Sequence, residues 1–308
     1  MDLVLRAPIT SALAQLATPN VVAALLMTAV TVGDAWFVGQ FGTIALASLA
    51  VVFPFQTLMQ MMAGGAIGGG VTSAIARALG RGDAERASSI AWHALLVGAA
   101  MSLLFMLVLG AFAAPVFALI GARSAALQGA VQYAHIVFGG AAAIWLTFVS
   151  AAILRGTGDT ATPSKAITIG SVAQLALSGV LTLGYGPISP HGVTGPAIAM
   201  LIAQGGVGVF LLLHIVAGKT PVRLHPRTLS WASLTDILRV GALGLANSVS
   251  IAATVVVVTA LVARHGNAAL AGYGLGSRLE LMLVPIAFGI GGALTAAVGL
   301  NFGAQQFA

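Results

Sequence analysis

The sequence contains no cysteine and very few charged residues. The absence of cysteine excludes disulfides, thiolate metal sites and cysteine nucleophiles. Charged side chains make up 6% of the 308 positions, whereas soluble globular chains carry about 25%. Hydrophobic residues account for 59% of the positions, and the mean hydropathy is +1.03. This composition predicts an all-α polytopic membrane protein.

Several other classes of function also find little support in the sequence. The formal charge is +6, but the basic residues are dispersed among loops and form no stripe with aromatics, so nucleic acid is not an expected partner. The first residues lack the basic region, short apolar core and cleavage site of a signal peptide. No cluster of His, Asp and Glu and no metal motif indicates an integral membrane enzyme, and we expect no cofactor or metal.

Apolar runs long enough to cross a bilayer occur eight times in the sequence. A transmembrane helix needs about 20 mostly apolar residues, and short polar linkers separate such runs here. The predicted spans are residues 12–38, 44–72, 88–112, 128–153, 164–185, 193–217, 240–263 and 270–299.

The distribution of Lys and Arg among the loops predicts the orientation in the membrane. Ten of these residues fall on one side of the eight predicted spans, and only Arg123 and Arg264 fall on the other. Because Lys and Arg are retained on the cytoplasmic side, we expect a multi-pass protein of the plasma (inner) membrane with a cytoplasmic N-terminus. The ten are Arg6, Arg77, Arg81, Arg86, Arg155, Lys165, Lys219, Arg223, Arg227 and Arg239.

An internal repeat links the beginning and the end of the chain. GQFGTIALASLAV at 39–51 resembles ARHGNAALAGYGL at 263–275, and glycine-rich segments follow both copies at similar spacing. Six predicted spans separate the copies, so both run in the same direction, as in parallel-repeat transporters. The repeat predicts a six-helix N-terminal lobe at 1–217, a cytoplasmic linker at 218–239 and the first two helices of a second lobe at 240–308. The second copy reaches Ala308 with four helices unmatched, so we expect a chain truncated after its eighth helix.

One carboxylate, Asp34, lies inside the first predicted span. A buried acid in a bilayer is costly unless it is protonated, paired or wetted, and it is therefore a functional candidate. Helical spacing places Asn20, Met27 and Thr31 on the same face as Asp34. The alternative is a structural hydrogen bond that holds the first helix against a neighbour.

Several motifs resemble the multidrug and toxic compound extrusion (MATE) family. They are Pro19 with Asp34 and VGQFG, ARALGRGDAERA at 76–87, LRGTGDTATP at 154–163, HGVTGPAIA at 191–199, and SRLE at 277–280 followed by GLNFGA. The resemblance implies paired six-helix lobes with a substrate cavity between them. It also implies a secondary active exporter of amphipathic cationic compounds in exchange for protons or sodium, embedded in the lipid bilayer and monomeric when full length.

The chain departs from the family pattern at the expected ion site. Members with a known site in the first lobe have Asn-x-x-x-Asp on helix 5 and Thr on helix 6, where this chain has Gln174, Ser178 and Met200. With the second carboxylate missing, proton coupling is expected rather than sodium coupling. The candidate coupling residues are Asp34, Gln174, Ser178 and Thr31. The candidate substrate-binding residues are Glu280, Arg278, Asn247, Met27 and Met200.

The sequence leaves three alternatives open for the role of Glu280 and for the function of the chain. A structural ion pair with another helix would also explain Glu280. A flippase for lipid-linked precursors, from the same superfamily, is the second alternative. Such a protein would have a cationic cavity, but only two basic residues, Arg278 and Arg264, lie near the membrane in that region of the chain. A non-transporting fragment is the third alternative, because an incomplete second lobe cannot close a cavity between lobes.

Overall fold

The structure is a computed structural model that describes residues 9–280 and, beyond them, residues 287, 290, 291, 294, 295, 297–299, 301 and 302. Nearly all of this part of the chain is helical, and its β structure is limited to an isolated bridge between Tyr185 and Ile188. The all-α prediction is therefore confirmed.

Eleven α-helices lie within residues 9–280 and carry numbers in chain order. Two π-helical segments, Met61–Ile67 and Met106–Gly110, extend α2 and α4, and a short 3-10 turn, Gly192–Thr194, precedes α9. The α-helices are α1 Ile9–Gly39, α2 Thr43–Gln60, α3 Gly68–Gly80, α4 Ala84–Phe105, α5 Ala113–Leu119, α6 Ser124–Gly139, α7 Ala141–Gly156, α8 Ala161–Leu183, α9 Gly195–Val216, α10 Trp231–Ala263 and α11 Asn267–Glu280.

Six segments of the described chain are long and apolar enough to cross a membrane, and a seventh results if the bent pair α6–α7 counts as one span. These seven correspond in order to the first seven predicted spans. The eighth, predicted at 270–299, begins within α11 and then falls largely outside the described residues. The structure thus confirms a multi-pass helical membrane protein.

The fourth predicted span is bent rather than straight. Residues 128–153 were expected to form one helix, but α6 and α7 meet at an angle of 47°. The break falls at the pair Gly139–Gly140, and adjacent glycines are a common cause of sharp helix kinks. A Cβ at Gly140 would overlap Leu201 of α9, so the kink lets α9 approach the backbone closely.

The helix that follows the predicted linker begins earlier than its sequence suggested. The linker was predicted at 218–239, whereas α9 ends at Val216 and α10 starts at Trp231. The first turns of α10 carry Asp236 and Arg239, and these charges make the segment resemble a loop. In the structure Ile237 is fully buried, which shows that this part of α10 packs as an amphipathic helix.

Tight packing around α7 forms the core of the described helices. Trp145 of α7 is 1% exposed and lies near Phe105 of α4, whose ring also stacks on Phe138 of α6 at 6.3 Å between centroids. Hydroxyl groups join helices by donating to backbone carbonyls: Thr72 to Ala152 at 3.1 Å, for example. Such bonds and close packing, rather than hydrophobic burial, hold helices together in a bilayer.

Helix α10 crosses the first π-helical segment through small residues. A Cβ added to Gly244 would meet Ala66, one added to Gly241 would meet Ile67, and one added to Gly70 would overlap the carbonyl oxygen of Ile237. Small residues of this kind let helix backbones approach closely. The chain from α2 through α3 remains helical past Pro54.

The loops with many and with few basic residues lie at opposite ends of the bundle. At one end Gly121, just before Arg123, lies against Ala263, just before Arg264. At the other end Arg86 pairs with Asp236. The loops that carry Arg123 and Arg264 therefore lie together, and the orientation in the membrane stays a prediction.

Candidate coupling site in the membrane

A buried carboxylate–hydroxyl pair joins the first and fifth membrane spans. Asp34 of α1 is 7% exposed and Ser178 of α8 is 0% exposed. The hydroxyl of Ser178 donates a hydrogen bond of 2.5 Å to Oδ1 of Asp34. Charge-assisted bonds of this type are short and about twice as strong as bonds between neutral groups. The structure thus brings together two of the four predicted coupling residues.

Two glycines next to this pair allow α1 and α8 to approach. A Cβ added to Gly33 would overlap the side chain of Leu175, and one added to Gly179 would lie 2.9 Å from the ring of Phe37. Each helix therefore inserts one apolar side chain over a glycine of the other. These two contacts flank the hydrogen bond, since Gly33 precedes Asp34 and Gly179 follows Ser178.

The other predicted coupling residues lie on the expected helices. Gln174 is 7% exposed and sits one turn before Ser178 on α8. Thr31 is half-buried, and its hydroxyl donates to the carbonyl of Met27 in its own helix at 3.1 Å. Met27 is half-buried and packs against the core. The side chain of Asn20, predicted on the same face, lies outside the described part of the structure.

A polar contact at Met200 was missed by the sequence reasoning. Nε2 of Gln56 donates to the sulfur of Met200 at 3.3 Å, and the hydroxyl of Tyr133 donates to Oε1 of Gln56 at the same distance. Met200 is 1% exposed and Tyr133 is 3% exposed. Gln56 lies in an apolar span two residues after Pro54. An isolated amide in such a run is the sequence signal that could have indicated this polar contact.

Of the remaining predicted substrate residues, Asn247 has a described side chain and Arg278 and Glu280 do not. Asn247 is exposed on α10, and Ser250 and Thr254 continue its exposed stripe, with the Thr254 hydroxyl bonded to the Ser250 carbonyl. Arg278 and Glu280 belong to α11, but their side chains lie outside what the structure describes. A role for these residues in substrate binding stays a prediction.

The geometry limits what the pair can do chemically. Asp34 can bind and release a proton, and Ser178 can donate to the carboxylate or accept from a carboxylic acid. The apolar surroundings make the charged form costly unless it keeps its hydrogen bond. A change of protonation would therefore alter the contact between α1 and α8.

A second polar region, which we call the polar seam, lies where residues 77–93 of α3 and α4 meet residues 219–239. Its ion pairs are partly exposed. Nε and a terminal nitrogen of Arg86 donate to Oδ2 of Asp236 at 3.1 and 2.6 Å. Arg227 pairs with Glu85, and hydrogen bonding to that carboxylate raises the pKa of the Arg227 guanidinium above its usual value.

Buried hydrogen bonds complete the polar seam. His93 is 0% exposed; its Nε2 accepts from the backbone N–H of Ser230 at 2.8 Å, and its Nδ1 lies 2.7 Å from the carbonyl of Ser89. Because a backbone N–H can only donate, the ring proton is on Nδ1. The hydroxyl of Ser88 accepts from the N–H of Arg223 at 3.0 Å. The linker and the start of α10 are thus fixed to α4.

The described helices and the buried carboxylate define a class: a multi-pass α-helical membrane protein with an ionisable group inside the bundle. A family model, MatE, matches residues 19–180, more than half of the chain. The chain belongs to this family of transporters.

Curated relatives agree with this assignment. The chain is 29% identical over 308 residues to the FAD transporter of Shewanella oneidensis, an alignment that covers 98% of this chain and 67% of that protein. It is 23% identical to the multidrug export protein MepA of Staphylococcus aureus, with 98% and 66% covered. The relatives are transporters rather than enzymes, and the chain spans about two thirds of their length or less, down to 50% for NorM of Thermotoga maritima.

Solved structures show the same fold. A crystal structure of a MATE protein in complex with MaD3S superposes with a TM-score of 0.85 at 25% identity and covers 98% of this chain and 68% of its own. A MOP-superfamily transporter from Pyrococcus furiosus, described as having a binding pocket of reverse polarity, superposes with a TM-score of 0.86 at 26% identity, with 98% and 67% covered.

Proposed function

We propose that this chain forms the coupling part of a secondary active exporter of the MATE type, in which Asp34 carries a proton across the cycle. The observation that supports this proposal is the buried Asp34–Ser178 hydrogen bond between α1 and α8. Protonation from outside removes the buried charge and weakens the hold of α8 on α1. Deprotonation on the cytoplasmic side restores the contact and resets the transporter.

Proton coupling is favoured over sodium coupling by the ligands available. Sodium is a hard cation that needs several oxygen ligands, as other hard cations do. On α8 the carboxylate meets the hydroxyl of Ser178 where the family's pattern has a second carboxylate, and Met200 offers sulfur where that pattern has a threonine. A proton needs only the carboxylate.

The test is proton-driven efflux of ethidium from cells that express the protein as its gene encodes it. We expect Asp34→Asn to abolish coupled efflux, because the amide cannot take up a proton. Asp83→Asn is the matched control: Asp83 caps α4 by accepting from the N–H of Arg86, and asparagine caps helices equally well. Undiminished proton-coupled efflux by Asp34→Asn at equal expression would refute the role.

A second substrate class is supported by a specific observation. An acid in the cavity favours a cationic substrate, and the predicted spans contain two acids, Asp34, which the coupling reaction uses, and Glu280. The relative from Shewanella oneidensis is named as a transporter of FAD, an anion. Uptake of FAD and of ethidium by inside-out vesicles under the same proton gradient separates the two classes, since faster FAD uptake favours the anion and faster ethidium uptake the cation.

A further inference from the structure

Several arginines lie near Asp236 or near each other in the polar seam. The guanidinium of Arg77 on α3 interacts electrostatically with Asp236, and also with two other arginines nearby. Asp236 is already bonded through Oδ2 to Arg86. We call the four arginines the arginine cluster: Arg77, Arg81, Arg86 and Arg239.

Among the described residues, the cluster has more positive charge than its acidic neighbours neutralise. Against four arginines there is Asp236, and also Asp83 if the helix cap is counted, which leaves three or two positive charges. Glu85 does not help, because it pairs with Arg227. Arg81 and Arg239 are both exposed. Their guanidinium groups are therefore open to an external anion.

The length of α10 places the cluster at the level of the lipid headgroups. This helix has 33 residues and at 1.5 Å per residue is about 50 Å long, whereas the hydrocarbon core is about 30 Å thick. Counted back from its end at Ala263, about 20 residues cross the core, so the boundary falls near Leu243. Arg239 lies one turn beyond this boundary.

The neighbours of Arg239 agree with this depth. Leu243 is 77% exposed, Leu238 is 37% exposed and Val240 is 39% exposed, so an apolar surface runs from the hydrocarbon up to the guanidinium. Trp231, 76% exposed, stands two turns further out, and tryptophan is enriched at membrane interfaces. An acyl chain can lie along this surface while its phosphate meets the arginines.

We propose that the arginine cluster binds the headgroup of an anionic phospholipid. Basic pockets between transmembrane helices are known sites for such headgroups, and the planar guanidinium fork suits a phosphate. The lipid would contact α3 through Arg77 and α10 through Arg239, and would bridge the two helices at the polar seam. This inference goes beyond the proposed transport function and does not depend on it.

The experiment titrates the purified protein in neutral detergent with dioleoylphosphatidylglycerol or dioleoylphosphatidylcholine and counts bound lipid by native mass spectrometry. We expect the phosphatidylglycerol to bind at least about tenfold more tightly. At about 1 kcal/mol for each basic residue near a membrane surface, Arg81→Gln and Arg239→Gln should each weaken its binding about fivefold and leave phosphatidylcholine unchanged. Both side chains are exposed, and Arg239→Lys, which keeps the charge, should retain most of the binding.

Two controls decide whether the site is local and whether it needs a lipid. Lys219→Gln removes the same charge from an exposed position of the linker and should change binding less than twofold. An equal loss in Lys219→Gln would mean diffuse attraction and would overturn the proposal. Glycerol 3-phosphate and inorganic phosphate serve as soluble probes, and displacement of the lipid by either at equal concentration would also overturn it in favour of a site for free anions.

Discussion

The α1–α8 contact and the polar seam both join segments more than 130 residues apart, but they do so by opposite means. Between α1 and α8 the carboxylate–hydroxyl bond of Asp34 and Ser178 lies among apolar side chains and glycines. In the polar seam several ion pairs and hydrogen bonds lie side by side, and many of them reach water. The contrast indicates that a polar group inside the bilayer contributes much of the free energy of a helix–helix contact. In the seam, many groups each contribute a small part.

Removing the hydroxyl of Ser178 gives the sharpest test of this contrast. We expect Ser178→Ala to lower the free energy of unfolding by about 2–3 kcal/mol when Asp34 is ionised, because a buried charged group loses a hydrogen-bond donor. The measurement is equilibrium unfolding in mixed micelles at about pH 8, where a carboxylate is ionised in most environments.

Thr182→Val is the matched control for that change. Thr182 lies one turn further along α8, is 0% exposed, and its hydroxyl has no hydrogen-bond partner among the described residues. Its replacement should alter stability by less than about 0.5 kcal/mol, or improve it. Equal losses in the two variants would show that the hydroxyls of α8 matter only through packing.

Adding one methyl group between α3 and α10 tests the apolar part of the contact beside the seam. Gly70→Ala should cost about 2 kcal/mol, because its Cβ would overlap the backbone oxygen of Ile237 and α10 would have to shift. At Gly69 a Cβ would meet nothing within 4 Å, so Gly69→Ala should be neutral or stabilising by up to about 1 kcal/mol. Thermal unfolding in detergent compares the neighbours, and the same melting temperature for both would contradict close approach at Gly70.

The smallest effect is expected within the seam itself. Arg86 and Asp236 have side chains 27% and 38% exposed, and exposed ion pairs contribute about 0–1 kcal/mol. A double-mutant cycle of Arg86→Gln and Asp236→Asn should give a coupling energy in this range. It should fall on raising the salt from about 0.05 to about 0.5 M, since ions screen charges near water. A coupling above about 2 kcal/mol would mean that the seam depends mainly on one pair.

The sequence predicted the interior better than the seam, for a physical reason. An acid in an apolar run is rare enough to single out Asp34, and the family resemblance indicated Ser178 and Gln174 as residues near it. All three are buried, and the first two are in contact. Their functional role stays a prediction.

The remaining features depend on three-dimensional packing that hydropathy does not report. Apolar periodicity marks where a helix crosses the bilayer but not where it ends, so the charged first turns of α10 were assigned to the linker. The Gly139–Gly140 bend lets α9 approach closely, and the contact of Gln56 with Met200 joins spans that the sequence could not align. His93 gave no signal, because its two partners are backbone groups.

The hydrogen bonds of His93 have a consequence for the nitrogen resonances of its imidazole ring. In the described state one ring nitrogen carries the proton and the other is a lone-pair acceptor occupied by the N–H of Ser230. The nitrogen resonances of a neutral imidazole separate these two kinds of nitrogen, and the acceptor resonance moves when its hydrogen bond is lost. Protein grown with ¹⁵N-labelled histidine therefore has a native reporter for the docking of residue 230, which can be followed through a transport cycle without any attached probe.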